Sequence, residues 1–161
     1  MNRHVKRTKL MLCAAMVAVA ALCSCFGTRS DVTPCNVDPV AFFGKPYTAA
    51  DFKIWIVSSP EVSDSMLCGD TPVMDGTQIK EAYVDKNYQG VPMTVIHFDK
   101  EGSKVWEQIT TENIGRYVAI TLGDSVISVP QIMSGITGGV CAVFTETDTQ
   151  ACALSKVLMK R

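Results

Sequence analysis

Between residues 52 and 159 the hydrophobic pattern alternates between the two-residue period of a strand and the 3.6-residue period of a helix. The helical period occurs at Lys100–Asn113 and again after Thr147, as far as about Met159. The segments with strand character are Phe52–Val57, Ile79–Asp85, Val91–Phe98, Arg116–Leu122, Ser125–Val129 and Val140–Phe144. The resulting order, β-β-β-α-β-β-β-α, predicts an α+β fold in which two helices pack on one face of a mainly antiparallel sheet.

Capping residues support both helices. Asp99 precedes the first helix as a candidate N-cap, and Val105, Trp106 and Ile109 are predicted to point inward. Thr147, followed three residues later by Gln150, forms a capping-box pattern for the second helix. Its predicted buried stripe consists of Ala151, Leu154, Val157 and Leu158. The pair Gly123-Asp124 is predicted to be the two-residue turn of a hairpin.

The chain begins with a basic leader and a short apolar run. Arg3, Lys6, Arg7 and Lys9 precede the apolar run Leu10–Leu22, which is the order of a signal peptide. Spanning a bilayer needs roughly 20 apolar residues, so this run of about 13 residues is a weaker candidate for a transmembrane helix.

The leader ends in the sequence LCSC at residues 22–25, which resembles the lipobox of bacterial lipoproteins. The resemblance implies that residues 1–24 are removed and that Cys25 carries a thioether-linked diacylglycerol, with acyl chains such as palmitate. We therefore expect a protein anchored by lipid on the periplasmic side of the inner or outer membrane. Ordinary signal cleavage, giving a soluble secreted protein, is the alternative, and Cys23 is a less favoured lipid site.

Residues 25–50 are predicted to form a tether to a domain at residues 51–161. Pro34, Pro39 and Pro46 interrupt any regular element, and the Phe42-Phe43 pair is expected to dock the end of the tether on the domain. Residues 58–76 are predicted to be a loop, because they contain two prolines and two glycines and lack a hydrophobic period.

The charge of the mature chain argues against nucleic acid as a partner. The full chain has 15 basic and 16 acidic residues, and residues 1–24 contain four of the basic ones and no acidic one. The remainder has 11 basic and 16 acidic residues, a net charge of −5. An acidic domain without a Lys/Arg cluster lacks the positive surface that nucleic acid requires. It is equally unsuited to attach to anionic lipid by charge alone, so the acyl chains must provide the anchor.

Four cysteines remain after the leader and the anchor. No CxxC motif is present, so neither a redox centre nor a zinc site is indicated. Cys35 and Cys68 lie in predicted loops, where an oxidising compartment permits a disulfide. Cys141 and Cys152 fall in core-like patterns and are interpreted as small buried hydrophobic residues.

The residues needed for catalysis are sparse. His97 is the only histidine after the leader, and it is predicted to lie on the sheet face opposite Ile96 and Phe98 as a structural residue. No histidine pair for a metal is present, and the glycines of SGITGG at residues 134–139 lead into a strand rather than a helix, unlike a phosphate-binding loop. We therefore expect no enzymatic activity, no metal, no cofactor and no small-molecule substrate.

Residues 91–158 resemble a known family, and residues 74–85 (MDGTQIKEAYVD) extend the likeness to about 85 residues. The family is the head subdomain of the first periplasmic domain of SecD, an accessory subunit of the Sec translocon. The matching residues are Asp99, Glu101, Gly102, Trp106, Thr110 or Thr111, Asn113, Gly115, Ala119, Ile120, Val126, Ser128, Pro130, Ile132, Ile136, Gly138, Gly139, Phe144, Ala151 and Leu154. The resemblance implies a SecD-head-like α+β fold outside the cytoplasm.

The sequence also departs from the SecD pattern. Transmembrane helices and the base subdomain of SecD are not matched, and the usual Asp-Gly turn is Gly123-Asp124 here. The resemblance thus supports fold and compartment more directly than a role in translocation.

Two hypotheses for function follow. In the first, the domain binds exported polypeptides or another Sec or envelope protein, through an exposed sheet edge or through a contact loop at residues 130–139 that contains Ile132, Met133 and Ile136. These three apolar side chains are alternatively part of the core. In the second hypothesis, the protein is a structural lipoprotein that reuses the fold for assembly.

Overall fold

The structure, a computed structural model, describes residues 35–62 and 71–160. The predictions for residues 1–24, Cys25 and Cys68 lie outside these residues. The strands are β1 (Phe52–Val57), β2 (Met74–Asp75), β3 (Ile79–Lys86), β4 (Pro92–Phe98), β5 (Tyr117–Leu122), β6 (Ser125–Ser128) and β7 (Val140–Phe144). The helices are α1 (Pro39–Phe43), α2 (Lys100–Glu112) and α3 (Asp148–Met159), and short 3-10 turns lie at Ala49–Asp51 and Gly76–Gln78.

The predicted α+β class is confirmed, but the strands form two antiparallel sheets. One sheet has the order β2-β1-β5-β6 and the other has the order β3-β4-β7. The register places Ile54 opposite Ile120 in the first sheet and Ile96 opposite Cys141 in the second. Residues 129–139 connect β6 to β7 across the space between the sheets, so the last strand joins β4 instead of continuing from β6.

Both long helices pack on the same face of the three-stranded sheet, as predicted. The Thr94 hydroxyl donates a hydrogen bond of 3.0 Å to the Ala151 carbonyl on α3. The Phe98 ring lies 5.6 Å from the Trp106 ring on α2. Because Thr94 and Phe98 are four residues apart on one strand, they lie on one face of the sheet. The core that results is continuous with the inner face of the other sheet through Phe52.

The predicted caps are present at both helices. The Asp99 carboxylate accepts a hydrogen bond of 2.8 Å from Gly102 N–H, and the Thr147 hydroxyl accepts one of 3.1 Å from Gln150 N–H. The Gln150 side chain accepts from Glu146 N–H, one residue before the N-cap. These bonds satisfy amide groups that have no partner inside a helix.

The predicted tether contains a helix that the prolines were expected to prevent. Pro39 occupies the first turn of α1, where its missing N–H costs nothing, and the Asp38 carboxylate caps Val40 N–H at 3.0 Å. Gly44, with φ +71°, ends the helix. Phe43 packs against the core, which agrees with the expected docking of the aromatic pair.

The cysteine interpretation requires a correction. Cys152 forms a disulfide with Cys35, with a Cα–Cα distance of 5.6 Å. Cys152 is therefore not a free hydrophobic residue, and the partner of Cys35 is Cys152 instead of Cys68. The sequence separation of 117 residues made this pair invisible to a local pattern. Cys141 is free and buried, as predicted.

The predicted loop at residues 58–76 also contains regular structure. Met74 of β2 pairs with Ile54 of β1, and Val73 N–H donates to the Ile54 carbonyl at 2.8 Å. A strand of two residues is too short to show a hydrophobic period in the sequence.

Within residues 35–62 and 71–160, no helix has the length and hydrophobicity needed to cross a bilayer.

Candidate functional site

The segment from residue 132 to residue 139 lies along the whole length of α2. Ile132 N–H donates to the Arg116 carbonyl at 2.8 Å, just beyond the end of α2, and Ile136 N–H donates to the Thr110 hydroxyl at 2.9 Å. At the other end, the Trp106 indole N–H donates to the Val140 carbonyl at 3.1 Å. These hydrogen bonds fix the segment to the helix, so its outward side chains are held at defined positions.

Gly139 allows the closest approach of the segment to α2. Its φ is +66°, and a Cβ at this position would overlap the Ser103 side chain. A larger residue would therefore meet both a backbone penalty and a steric clash. The glycine-rich sequence SGITGG is thus explained by packing against a helix.

The structure separates the three residues of the predicted contact loop. Ile132 is 3% exposed and belongs to the main core. Ile136 is half-buried and packs against that core. Met133 is 57% exposed, so it alone of the three is available to a partner. For Ile132, the structure favours the alternative interpretation as a core residue.

A second exposed apolar residue, which the sequence reasoning missed, lies on the segment that is hydrogen-bonded to Ile132. Ile114 follows α2 and is 56% exposed. Gly115 N–H donates to the Ile132 carbonyl at 2.8 Å, and Tyr117 forms an antiparallel bridge with Gln131. Ile114 and Met133 each lie one residue from the hydrogen-bonded pair Gly115 and Ile132, so their backbones are close together. We call these two residues the 114/133 patch.

The 114/133 patch lies at the continuation of an uncharged sheet edge. The edge strand β6 has the sequence SVIS and contains no charged residue, whereas β3, an edge of the other sheet, has four charged residues in eight. Charged side chains protect edge strands against pairing with another chain. The β6 edge therefore has the chemistry expected of a strand that accepts an extended peptide.

His97 lies where the sequence predicted, on the face opposite Ile96. It is half-buried, its ring stacks on the Tyr83 ring with centroids 5.7 Å apart, and its Nε2 atom lies 3.3 Å from the Tyr83 hydroxyl. An aromatic partner on the neighbouring strand accounts for its position.

Cys141, a free thiol among the described residues, is in an environment that opposes ionisation. Burial raises the pKa of the Cys141 thiol to about 12. Since the thiolate is the reactive form of cysteine, this residue is inert near neutral pH. Among the described residues, no group of three or more His, Cys, Asp or Glu side chains is arranged to hold a metal ion.

The chain is similar to proteins of the Sec export machinery. The protein translocase subunit SecD of Calditerrivibrio nitroreducens is 34% identical over 108 residues, which are 63% of this chain and 19% of that protein. SecD of Acidaminococcus fermentans is 26% identical over 88 residues, 55% of this chain and 21% of that protein. The chain thus spans about a fifth of the length of these relatives.

Solved structures support the fold. A structure described as a membrane component SecDF that enhances protein export has a TM-score of 0.60 and 23% identity, over 69% of this chain and 62% of that one. The family model of the SecDF P1 head subdomain matches residues 55–160. This match includes both long helices, the 114/133 patch and all strands except the first three residues of β1, and it confirms the resemblance that the sequence indicated: the chain belongs to the SecDF P1 head subdomain family.

Proposed function

We propose that this chain is a lipoprotein of the cell envelope that binds exported polypeptides through the 114/133 patch and has no catalytic activity. The exposure of Met133, and of Ile114 on the adjoining hydrogen-bonded segment, is the observation that carries the proposal, because large apolar side chains exposed close together on a surface mark contact sites. Membership of the SecDF P1 head family directs the choice of partner, since its relatives are named as subunits of a protein translocase.

The chemistry of the patch suits an incompletely folded chain. Ile114 and Met133 offer apolar surface, and methionine adapts to partners of different shape. The neighbouring β6 edge offers backbone groups without charged side chains. An extended polypeptide would combine backbone hydrogen bonds to the edge with one or two apolar side chains on the patch.

The proposal of a non-catalytic role rests on the environment of the two most reactive side chains. Cys141 is held as a thiol by burial, and His97 is engaged with Tyr83. General acid–base or nucleophilic catalysis needs such groups in a state and position that lets them reach a substrate. A purified protein that turns over a substrate and loses the activity in His97→Ala would refute this part of the proposal.

Two neighbouring substitutions separate binding from folding. We expect Met133→Asp to fold normally and to weaken binding of an unfolded polypeptide roughly ten- to a hundredfold. This factor corresponds to the free energy gained by burying one large apolar side chain. Ile132→Asp should unfold the domain, because an unpaired carboxylate in the core costs several kcal/mol. Fluorescence anisotropy with a labelled, reduced and carboxymethylated model protein measures the binding, and circular dichroism measures the folding.

The control for this experiment is Val91→Asp, which places the same charge at an apolar residue that is 37% exposed and distant in sequence from the patch. It should leave binding unchanged. If Met133→Asp folds and binds as tightly as the wild type, the patch is not the contact surface. A photo-crosslinker at residue 133 that captures one stable stoichiometric envelope protein, and no exported chains, would favour the structural role instead.

The anchor is tested separately. We expect Cys25→Ala to abolish labelling by radioactive palmitate and to release the protein from the membrane fraction, because a domain with an excess of acidic residues is not held at the membrane by charge alone. Cys23→Ala is the matched control and should be labelled and sedimented like the wild type. Persistent labelling of Cys25→Ala would place the lipid at another residue.

A further inference from the structure

The N-terminal segment is fixed to α3 near the middle of the helix and in its last turn. The Cys35–Cys152 disulfide joins the two covalently, and the Lys156 ammonium group donates a hydrogen bond of 2.7 Å to the Val37 carbonyl. Helix α1 packs against α3. The point at which the described chain begins is therefore set by α3 and cannot move independently of the domain.

The length of chain before Cys35 limits the distance between this end and the membrane. Ten residues separate Cys35 from Cys25, the proposed lipid site on which this inference rests. Ten residue steps span at most about 33–36 Å. A tether of that length holds the domain close to the bilayer.

This end of the domain exposes large apolar side chains. Val40 and Phe42 on α1 are 41% and 42% exposed, and Met159 at the end of α3 is 46% exposed. Val40 and Met159 line a common surface cleft of about 410 Å³, together with the charged residues Asp38, Lys156 and Lys160. Apolar side chains accompanied by lysines are the composition of surfaces that insert into the headgroup region of a membrane.

Charge is distributed unequally along α3. Its first turn carries Asp148, and Glu146 precedes it, whereas Lys156 lies in its last turn and Lys160 follows it. The helix has 12 residues, so its ends are separated by about 18 Å. Although the mature chain is acidic overall, the two lysines are at the end of α3 that adjoins α1, and anionic lipid would favour that end over the end with Glu146 and Asp148.

We propose that the end of the molecule formed by α1 and the last turn of α3, with Val40, Phe42 and Met159, lies against the lipid bilayer. The acyl chains hold the protein, and this surface sets its orientation. The turn between β3 and β4 then points away from the membrane, because Lys86 at the end of β3 pairs at 3.0 Å with Asp148 at the opposite end of α3.

Quenching of tryptophan fluorescence by brominated lipids tests the orientation. The full-length lipidated protein is reconstituted in vesicles of phosphatidylethanolamine and phosphatidylglycerol with brominated acyl chains. Phe42→Trp places a reporter on the proposed surface, and Tyr88→Trp places one in the β3–β4 turn, where Tyr88 is 94% exposed. The native Trp55 and Trp106 are buried and common to both variants, so the wild type supplies the background.

We expect the added tryptophan of Phe42→Trp to lose emission and shift to the blue in these vesicles, and that of Tyr88→Trp to do neither. Adding Lys160→Glu should reduce the quenching at residue 42.

If the protein sediments with the vesicles but residue 42 is quenched no more than residue 88, the proposed surface is wrong and the proposed lipid anchor is still supported. If the protein does not sediment with the vesicles, the proposed lipid anchor is wrong, and so is the proposed orientation, which depends on the anchor. Crosslinking of residue 42 to an envelope protein, without quenching, would assign the surface to a protein partner instead.

Discussion

Replacing Trp106 with alanine is expected to lower the free energy of unfolding by about 3–5 kcal/mol. The indole is 2% exposed and packs on Phe98, with ring centroids 5.6 Å apart. Its N–H donates to the Val140 carbonyl at 3.1 Å and thereby ties α2 to the first residue of β7. The substitution removes this packing, leaves a cavity and deprives the carbonyl of its donor. Since domains are stable by about 5–15 kcal/mol, the loss is a large part of the total.

Urea unfolding followed by circular dichroism measures this effect, and Trp106→Phe separates its two causes. Phenylalanine keeps most of the apolar volume but cannot donate to Val140, so it should cost less, about 1–3 kcal/mol for the orphaned carbonyl. Ile114→Ala is a surface control and should change stability by less than about 0.5 kcal/mol. A Trp106→Ala midpoint equal to that of the wild type would contradict the placement of Trp106 in the core.

The elements with a strong period were predictable from the sequence. Helix α2 begins after its predicted cap, Asp99, and ends one residue before the predicted Asn113. The hairpin turn at Gly123-Asp124 joins β5 and β6 as expected, because a glycine with φ +56° satisfies the turn without strain. In each case the information lies within a few neighbouring residues, which is why a single sequence contains it.

The division into two sheets was not predictable, because it depends on pairings between distant segments. The sequence of a strand indicates which residues are buried but not which strand lies beside it, so the apolar sequence of β7 (VCAVF) does not specify whether it joins β6 or β4. Helix α1 was missed for a different reason: proline was interpreted as a breaker, although it is favoured in the first turn of a helix.

The candidate site was predictable as a segment and not as individual residues. The sequence indicated residues 130–139, but the backbone turns Ile132 inward and Met133 outward, and no period distinguishes them there. Ile114 was not identified because it follows a helix and reaches the segment only through the pairing of Gly115 with Ile132. A surface assembled from two segments requires the fold before it can be recognised.

The Cys35–Cys152 disulfide is expected to contribute about 2–5 kcal/mol to the stability of the oxidised protein. It closes a loop with a sequence separation of 117, and a long loop loses much of its conformational entropy in the unfolded state when its ends are joined. Cys35→Ala should therefore lower the urea midpoint markedly. A reducing agent should lower the midpoint of the wild type by a similar amount and leave that of Cys35→Ala unchanged.

Local effects of the disulfide should be found at α1 rather than in the sheets. Without the bond, the segment from Cys35 to α1 is held by the Lys156–Val37 hydrogen bond and by the packing of Phe43, so amide exchange should accelerate first in α1. Cys141→Ala retains the disulfide and is the matched control: its stability should still respond to the reducing agent, because Cys141 is a free, buried thiol. If Cys35→Ala and the wild type unfold at the same urea concentration under oxidising conditions, the disulfide does not stabilise the folded protein and the prediction is wrong. The proposed orientation at the membrane then loses the covalent bond that fixes the N-terminal segment to α3.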